Sequence, residues 1–164
     1  MQRGKKFCKG IDKVLRVTVM PAPDNLIFKS YVSDHQDDLL SLWQVCDLIR
    51  PWNNPLDDIR QCVGNPSSEL LITYLDQTLC GSVMVGCDGH RGWVYYLAVA
   101  PDYRTQGIGR TLMASAEQWL IDRDVPKIHA MIRHDNLLVR GFYKRLDFID
   151  GDVQLVQKWL KRKA

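Results

Sequence analysis

The chain has no apolar run long enough to cross a bilayer, no C-x-x-C pair and no large excess of either charge, and each absence removes a class of protein. The longest apolar stretch near the start, Leu15 to Met20, is too short for a signal-peptide core and has no clear cleavage site, so a cytoplasmic protein is the default expectation. The five cysteines (Cys8, Cys46, Cys62, Cys80 and Cys87) are odd in number and lack zinc-ligand spacing. They read as small buried thiols in a reducing compartment. His35, His129 and His134 form no grouping that would hold a metal, and no metal is expected.

The net charge of +3 is unevenly spread. Residues 1–16 hold Arg3, Lys5, Lys6, Lys9, Lys13 and Arg16 against Asp12, a net of +5 that leaves about −2 for the rest. The body of the protein is therefore not basic, and neither nucleic acid nor a membrane is expected as a partner. Residues 1–24 read as a basic, disordered N-terminal extension, and residues 25–164 as one domain. A chain of 164 residues with 46% hydrophobic and 25% charged residues can build one sizeable core.

Leu26 to Tyr31 reads as a first strand. Ser33-Asp34-His35-Gln36 reads as a capping box ahead of a helix with Leu39, Leu42, Trp43, Cys46 and Ile49 on one face. Asn54-Pro55 opens a second helix, with Asn as cap, Pro at the first position, and Leu56, Ile59 and Val63 as its apolar face. Leu70 to Leu75 and Leu79 to Val85 read as a hairpin around Asp76-Gln77, and Trp93 to Val99 as the next strand. A helix with Ile108, Leu112, Ser115, Ala116, Trp119 and Leu120 on one face follows, then a strand Lys127 to Arg133 and a helix Asn136 to Leu146. Phe148 to Trp159 reads as a closing hairpin around Asp150-Gly151. The order β-α-α-β-β-β-α-β-α-β-β is that of a mixed α/β (α+β) domain.

The junction after the Trp93–Val99 strand, "APDYRTQGIGRTLM", carries the chemistry. A helix N-terminus has unpaired N–H groups and a partial positive charge. A preceding loop whose N–H groups also turn inward completes a cradle for anionic oxygens. Gly107 and Gly109 let backbone approach a ligand, and Arg104 can add a charged contact. Phosphate or pyrophosphate binding is the chemistry favoured. Two nucleotide readings fit poorly: a Walker loop wants Gly at 104 and Lys at 110, where Arg104 and Arg110 stand, and a dinucleotide fingerprint wants Gly at 112, where Leu112 stands.

R-x-x-G-x-G after "YYLAVAPDY" resembles the coenzyme A loop of the Gcn5-related N-acetyltransferase superfamily. A second segment agrees: the strand Ile128–Arg133, then Asn136, then "GFYKRLDF" is similar to the family's N…A-x-x-Y-x-K-x-G-F helix. "CDLIRPWNNP" and "GCDGHRG" also resemble a YpeA-like bacterial subgroup of small acetyltransferases. Two departures are visible, Asp147 for the usual Gly and Gly141 for the usual Ala.

The resemblance covers about Leu26 to Leu160. It implies a mostly antiparallel mixed sheet of about six to seven strands flanked by about four helices. It implies acetyl-CoA as donor and a primary amine, on a small molecule or a protein, as acceptor. The pyrophosphate would lie on Arg104, Thr105, Gln106, Gly107, Ile108, Gly109 and Arg110. The pantetheine arm would pair with Leu97, Ala98 and Val99, where a backbone N–H would hold the oxyanion. The strand with His129 and Met131 would splay away, and Asn136 would bond the arm. Tyr143 would be the general acid.

The general base is open, because related N-terminal acetyltransferases carry Glu where Met131 stands. Asp88, His90 or water are the candidates. Arg50 and Trp52 are read either as acceptor contacts or as a helix cap and a core plug. A catalytic N-acetyltransferase and a non-catalytic acyl-CoA sensor both remain open, as do the acceptor and the oligomeric state, a homodimer included.

Overall fold

A computed structural model describes residues 21–160. Most of the expected basic extension lies outside the described residues.

The chain runs β1 (Ile27–Ser30), α1 (Gln36–Val45), α2 (Pro55–Val63), β2 (Ser68–Leu75), β3 (Thr78–Cys87), β4 (Gly92–Val99), α3 (Ile108–Ile121), β5 (Ile128–Ala130) and α4 (Leu137–Lys144). The strands form one sheet in the order β1-β2-β3-β4-β5, antiparallel except for the parallel β4–β5 pair. The mixed, mostly antiparallel class and the four α-helices match the expectation. Among the described residues the sheet has five strands instead of six or seven.

Local chemistry explains the elements. Asn54 caps α2, its Oδ1 accepting from the Leu56 N–H at 3.1 Å, and Pro55 occupies the first turn. Asp76 and Gln77 both take left-handed φ values, 48° and 67°, which matches the twist of a tight β2–β3 hairpin. α1 begins differently from the Ser33–Gln36 box. A 3-10 turn over Ser33–His35 precedes it, and the His35 ring Nδ1 accepts from the Val32 N–H at 3.1 Å. In α2 the buried side chains are Ile59 and Cys62, while Leu56 and Val63 stay exposed.

Alternation along the strands separates two cores. On one face α3 and α4 pack Ile108, Leu112, Met113, Ala116, Leu120 and Tyr143 against Cys80, Val83, Val85 and Val94. On the other, α1 and α2 pack Leu39, Leu42, Trp43, Ile59 and Cys62 against Leu70, Ile72, Met84 and Ala98.

The expected closing hairpin is absent. Residues 149–160 form no strand, and Ile149, Val153, Leu155, Val156, Trp159 and Leu160 are exposed. Asp147, left-handed at φ 62°, ends the turn after α4 as a Gly would. Beyond it a hairpin would need an edge to add to, and β5 offers three residues. An isolated two-stranded ribbon is at best marginal in water.

Candidate functional site

The site is built around a fork. β4 and β5 pair only from Gly92–Ile128 to Val94–Ala130, although β4 runs on to Val99. From Tyr95 to Val99 one edge of β4 therefore has no β5 partner, the splay expected of the strand bearing His129 and Met131. The N–H of Ala100 donates to the Cys80 carbonyl at 2.9 Å. Antiparallel pairing alternates, so the neighbouring Val99 turns its peptide groups away from β3, toward the fork. Its carbonyl accepts from Arg104 Nε at 3.0 Å and from Cys46 Sγ at 3.3 Å. Leu97 packs toward the α3 core and Ala98 toward the α1 core.

The open edge leads through a 3-10 turn (Pro101–Tyr103) into the glycine loop. Thr105 at φ 65° and Gly107 at φ 78° are both left-handed, so the chain reverses sense twice within three residues. Such alternation turns successive N–H groups to one side and makes an anion-binding concavity. Gly107 is the N-cap residue of α3, no acidic side chain occupies the first turn, and the N–H groups of Ile108, Gly109 and Arg110 have no partner within the helix. Gly109 serves packing as well: a Cβ there would lie 3.3 Å from Phe142 and 3.5 Å from Val99. Gln106 braces the loop by donating to the Asp102 carbonyl at 3.2 Å.

Tyr143, on α4, is 6% exposed and lies against Phe142 and Phe148 at ring separations of 5.3 and 5.0 Å. Burial pushes its phenol up to about 12, so the ring is neutral and carries its proton throughout the physiological range. Asn136 caps α4, its Oδ1 accepting from the Val139 N–H at 3.2 Å.

Across the fork, the α1–α2 and β5–α4 connections line a cleft of about 430 Å³ with Asp47, Arg50, Trp52, Arg133, Asp135 and Asn136. Of the residues singled out from sequence, it brings together Arg50, Trp52 and Asn136. Trp52 is 46% exposed, so it is not a core plug. Arg50 holds both carboxylate oxygens of Asp47 at 2.9 Å instead of capping a helix. That guanidinium, with Arg133 further off, keeps Asp47 below the usual carboxylate range.

Asp88 and His90 are not part of this cleft. Asp88 organises the β3–β4 turn, accepting from the N–H groups of His90 and Arg91 at 2.9 and 2.7 Å and from Trp93 Nε1 at 3.0 Å. Those donors hold it well below the usual carboxylate range, which makes it a poor proton acceptor. His129 stacks on Trp93 at 4.7 Å, with Nε2 enclosed and unpartnered. Burial, then the neighbouring cations Lys127 and Arg91, depress its pKa.

From sequence, Trp93, Tyr95 and Tyr96 read as strand packing with one tyrosine left as an acceptor contact, and the network behind the fork was not foreseen. Tyr96 takes φ 49° where β4 shifts register against β3. Its ring stacks on Trp43 at 3.9 Å, and its hydroxyl donates to Asp58 on α2 at 2.5 Å. Ser82 Oγ donates to the Tyr96 carbonyl at 3.0 Å and accepts from Trp43 Nε1 at 2.9 Å. "YYLAV" alone cannot tell which tyrosine turns to the α1 side. The doubled aromatic beside a bulge-prone strand was the one available signal.

The class is that of mixed α/β proteins in which a splayed strand pair feeds a left-handed loop and a bare helix N-terminus, an arrangement suited to anionic oxygens. The sequence model for the acetyltransferase (GNAT) family matches residues 28–148, and the chain belongs to that family. It is 41% identical to a Yersinia pestis protein named acetyltransferase over 130 residues, 79% of this chain and 92% of that one. To an acetyltransferase of Pectobacterium atrosepticum it is 45% identical over 116 residues, 69% and 82% of the two chains. By that membership it is an N-acetyltransferase. Among solved structures, the apo aminoglycoside 6′-N-acetyltransferase AAC(6′)-Ig of Acinetobacter haemolyticus superposes with a TM-score of 0.68 at 17% identity, over 82% of this chain and 99% of that one. AAC(6′)-Iy, solved with the bisubstrate analogue CoA-S-monomethyl-acetylneamine, gives 0.68 at 15% identity over 84% and 99%. These two likenesses establish the fold. Among the described residues no helix is long and apolar enough to cross a membrane, and no cluster of His, Cys, Asp or Glu could hold a metal.

Proposed function

We propose that this chain transfers an acetyl group from acetyl-coenzyme A directly to a primary amine of a small molecule or peptide, in the cytoplasm. The observation that carries the reading is the open β4 edge, Tyr95–Val99, leading through one 3-10 turn into the Thr105–Gly107 loop and the α3 N-terminus. The residues fit the donor: with the Arg104 N–H turned to the Pro101 carbonyl, the loop and helix amides of Thr105–Arg110 match a diphosphate, and the β4 edge at Leu97–Val99, which β5 leaves without a strand partner and where Arg104 and Cys46 cover the Val99 carbonyl, matches an amide-bearing arm. The donor supplies a reactive thioester. Tyr143, neutral and enclosed, gives its proton to the departing sulfur. Nδ2 of Asn136 has no part in the α4 cap and is available to the arm.

The cleft between Trp52 and Asn136 would take the acceptor. Its carboxylates are matched by arginines, Asp47 by Arg50 at 2.9 Å and Asp135 by Arg133 at 3.7 Å, so the lining is charge-balanced, and Trp52 gives it an apolar wall. One observation favours the second reading, a non-catalytic acyl-CoA sensor: the position where related N-terminal acetyltransferases carry Glu is Met131, 48% exposed and apolar.

Two measurements test the proposal. Coenzyme A at saturating dose should raise the melting temperature. Thiol release should then appear with at least one member of a panel of polyamines, aminoglycosides and peptides. No thermal shift overturns the donor site, and a shift without turnover on any amine favours the sensor.

A further inference from the structure

We propose that Tyr96 is the group that takes the proton from the attacking amine, handing its own phenolic proton to Asp58 in the same step. The inference rests on the acetyl-transfer reading above. It supplies the base that Met131 cannot provide.

Four contacts fix Tyr96 from three elements. Trp43 of α1 stacks on the ring at 3.9 Å, and Asp58 of α2 accepts from the hydroxyl at 2.5 Å. Ser82 of β3 donates to the main-chain carbonyl at 3.0 Å, and Trp43 Nε1 holds Ser82 in turn at 2.9 Å. Asn53, from the α1–α2 connection, also reaches the phenol. The network holds a bulky aromatic residue at φ 49°, a conformation that costs about 1–2 kcal/mol outside glycine. Strain of this kind persists where neighbouring structure over-determines it, and it gathers at functional sites. The place is telling. Tyr96 lies two residues beyond Val94, the last β4 residue paired with β5, so it belongs to the stretch of β4 that β5 leaves unpaired, and its ring packs on the α1–α2 face.

The other side-chain candidates are poorly placed for the task. The Asp88 carboxylate is saturated by three donors in its turn. His90 is exposed beside Arg91. His129 is pressed on Trp93 with Nε2 enclosed. Burial, with Asp58 second, raises the Tyr96 pKa, so the phenol is neutral at working pH. A neutral phenol is a weak base by itself. It accepts a proton only while releasing its own, and the carboxylate that would receive that proton is already hydrogen-bonded to it.

The step balances. The amine arrives protonated: its ammonium proton passes to Tyr96 Oη as the Tyr96 proton passes to Asp58, which releases it to solvent. The C–N bond then forms as the C–S bond breaks, Tyr143 protonates the sulfur, and solvent carries the second amine proton, lost as the amide forms, back to Tyr143. Tyr96 is the catalytic residue here, and Asp58 holds the proton behind it. The charge acting on Tyr96 is that of Asp58; its other polar contacts are Asn53, Ser82 and the Trp43 indole, and the adjoining phenol, Tyr95, feels Asp88.

Tyr96→Phe keeps the ring stacked on Trp43, and Asp58→Asn keeps an acceptor for the hydroxyl, so both variants should fold and show the wild-type thermal shift with coenzyme A. With an amine found by the panel, each should lose about a hundredfold in kcat/KM near neutral pH. The deficit should shrink as pH rises toward the amine's own pKa, about 10, because free amine then needs no base. In ligand-free protein carrying 13Cζ-tyrosine, the Tyr96 resonance, assigned by its loss in Tyr96→Phe, should move in Asp58→Asn. A loss uniform across pH, rates within twofold of wild type, or an unmoved resonance each overturns the relay while leaving donor binding and acetyl transfer standing. Failure of coenzyme A to bind the wild-type protein would instead overturn the reading on which the relay rests.

Discussion

The two faces of the sheet bury comparable apolar sets but are held differently. Behind it, α3 presses Ile108, Leu112, Met113 and Ala116, each 1% exposed or less, onto Val83 and Val85; its polar groups are few, chiefly the Tyr143 phenol and the Trp119 indole, which donates to Glu69 at 2.6 Å. In front, α1 and α2 bury Leu39, Leu42 and Ile59, but also the Trp43–Ser82–Tyr96–Asp58 chain. A dry layer contributes stability roughly in proportion to the area it removes from water, whatever its detailed orientation. A hydrogen-bonded layer contributes little net stability but fixes directions, because leaving any member unpaired is costly. Stability and aim are thus divided between the faces, and the fork opens along the line where they meet.

The strongest way to break that division is Leu112→Ala. Leu112 is fully buried on the dry face and reaches so near β3 that a Cβ on Gly81 would meet it at 2.8 Å. The cavity should lower unfolding free energy by about 3–4 kcal/mol in urea titration. Acetyl transfer per folded molecule should change little. A large loss of turnover at unchanged stability would mean that the dry face also aims the site.

Tyr143 tests the same face from its edge. Tyr143→Phe should lower turnover about a hundredfold and leave coenzyme A binding intact. Its phenol has a folded pKa, about 12, above the unfolded value near 10, so its stabilising contribution is complete below pH 10 and lost as pH climbs toward 12. Across that window the wild type should lose about 2–3 kcal/mol more than Tyr143→Phe, read from urea midpoints.

Ser82→Ala strikes the front layer. Ser82 is fully buried, and its loss leaves Trp43 Nε1 and the Tyr96 carbonyl without their partner. It should cost about 2 kcal/mol, and it should also reduce kcat by freeing Tyr96. A stability loss with unchanged kcat would confine the network to packing.

The dry half of this division was legible in the sequence. Periodicity in α3 named Ile108, Leu112, Ser115, Ala116, Trp119 and Leu120, all buried but the half-buried Ser115, and passed over the buried Met113. The Asn54-Pro55 start, the Asp76-Gln77 turn and the glycine loop are local chemistry, readable from a few adjacent residues. The front half was not. Tyr96 and Asp58 are 38 residues apart, and no local rule makes an aromatic residue left-handed in mid-strand. Ser33–Gln36 had the letters of a capping box, but His35 took the Val32 N–H. Phe148–Trp159 had a strand-like pattern, yet a strand needs an edge, and the extent of β5 is a tertiary fact.

The finest test lies on α4, which carries Tyr143 from the dry face to the fork. Gly141 sits in mid-helix, where glycine costs about 0.5–1 kcal/mol relative to alanine. A Cβ there would find Arg145 Nη1 at 3.6 Å, an ordinary contact with a flexible side chain. Gly141→Ala should therefore stabilise the protein by about 0.5–1 kcal/mol, seen as a small rise in melting temperature. Because Tyr143 follows two residues later, stiffening this turn also asks whether α4 must yield during the reaction. Unchanged turnover in a more stable protein means that Tyr143 is held in place by packing alone. Slower turnover in a more stable protein means that α4 moves when the donor enters, and that glycine is there to let it.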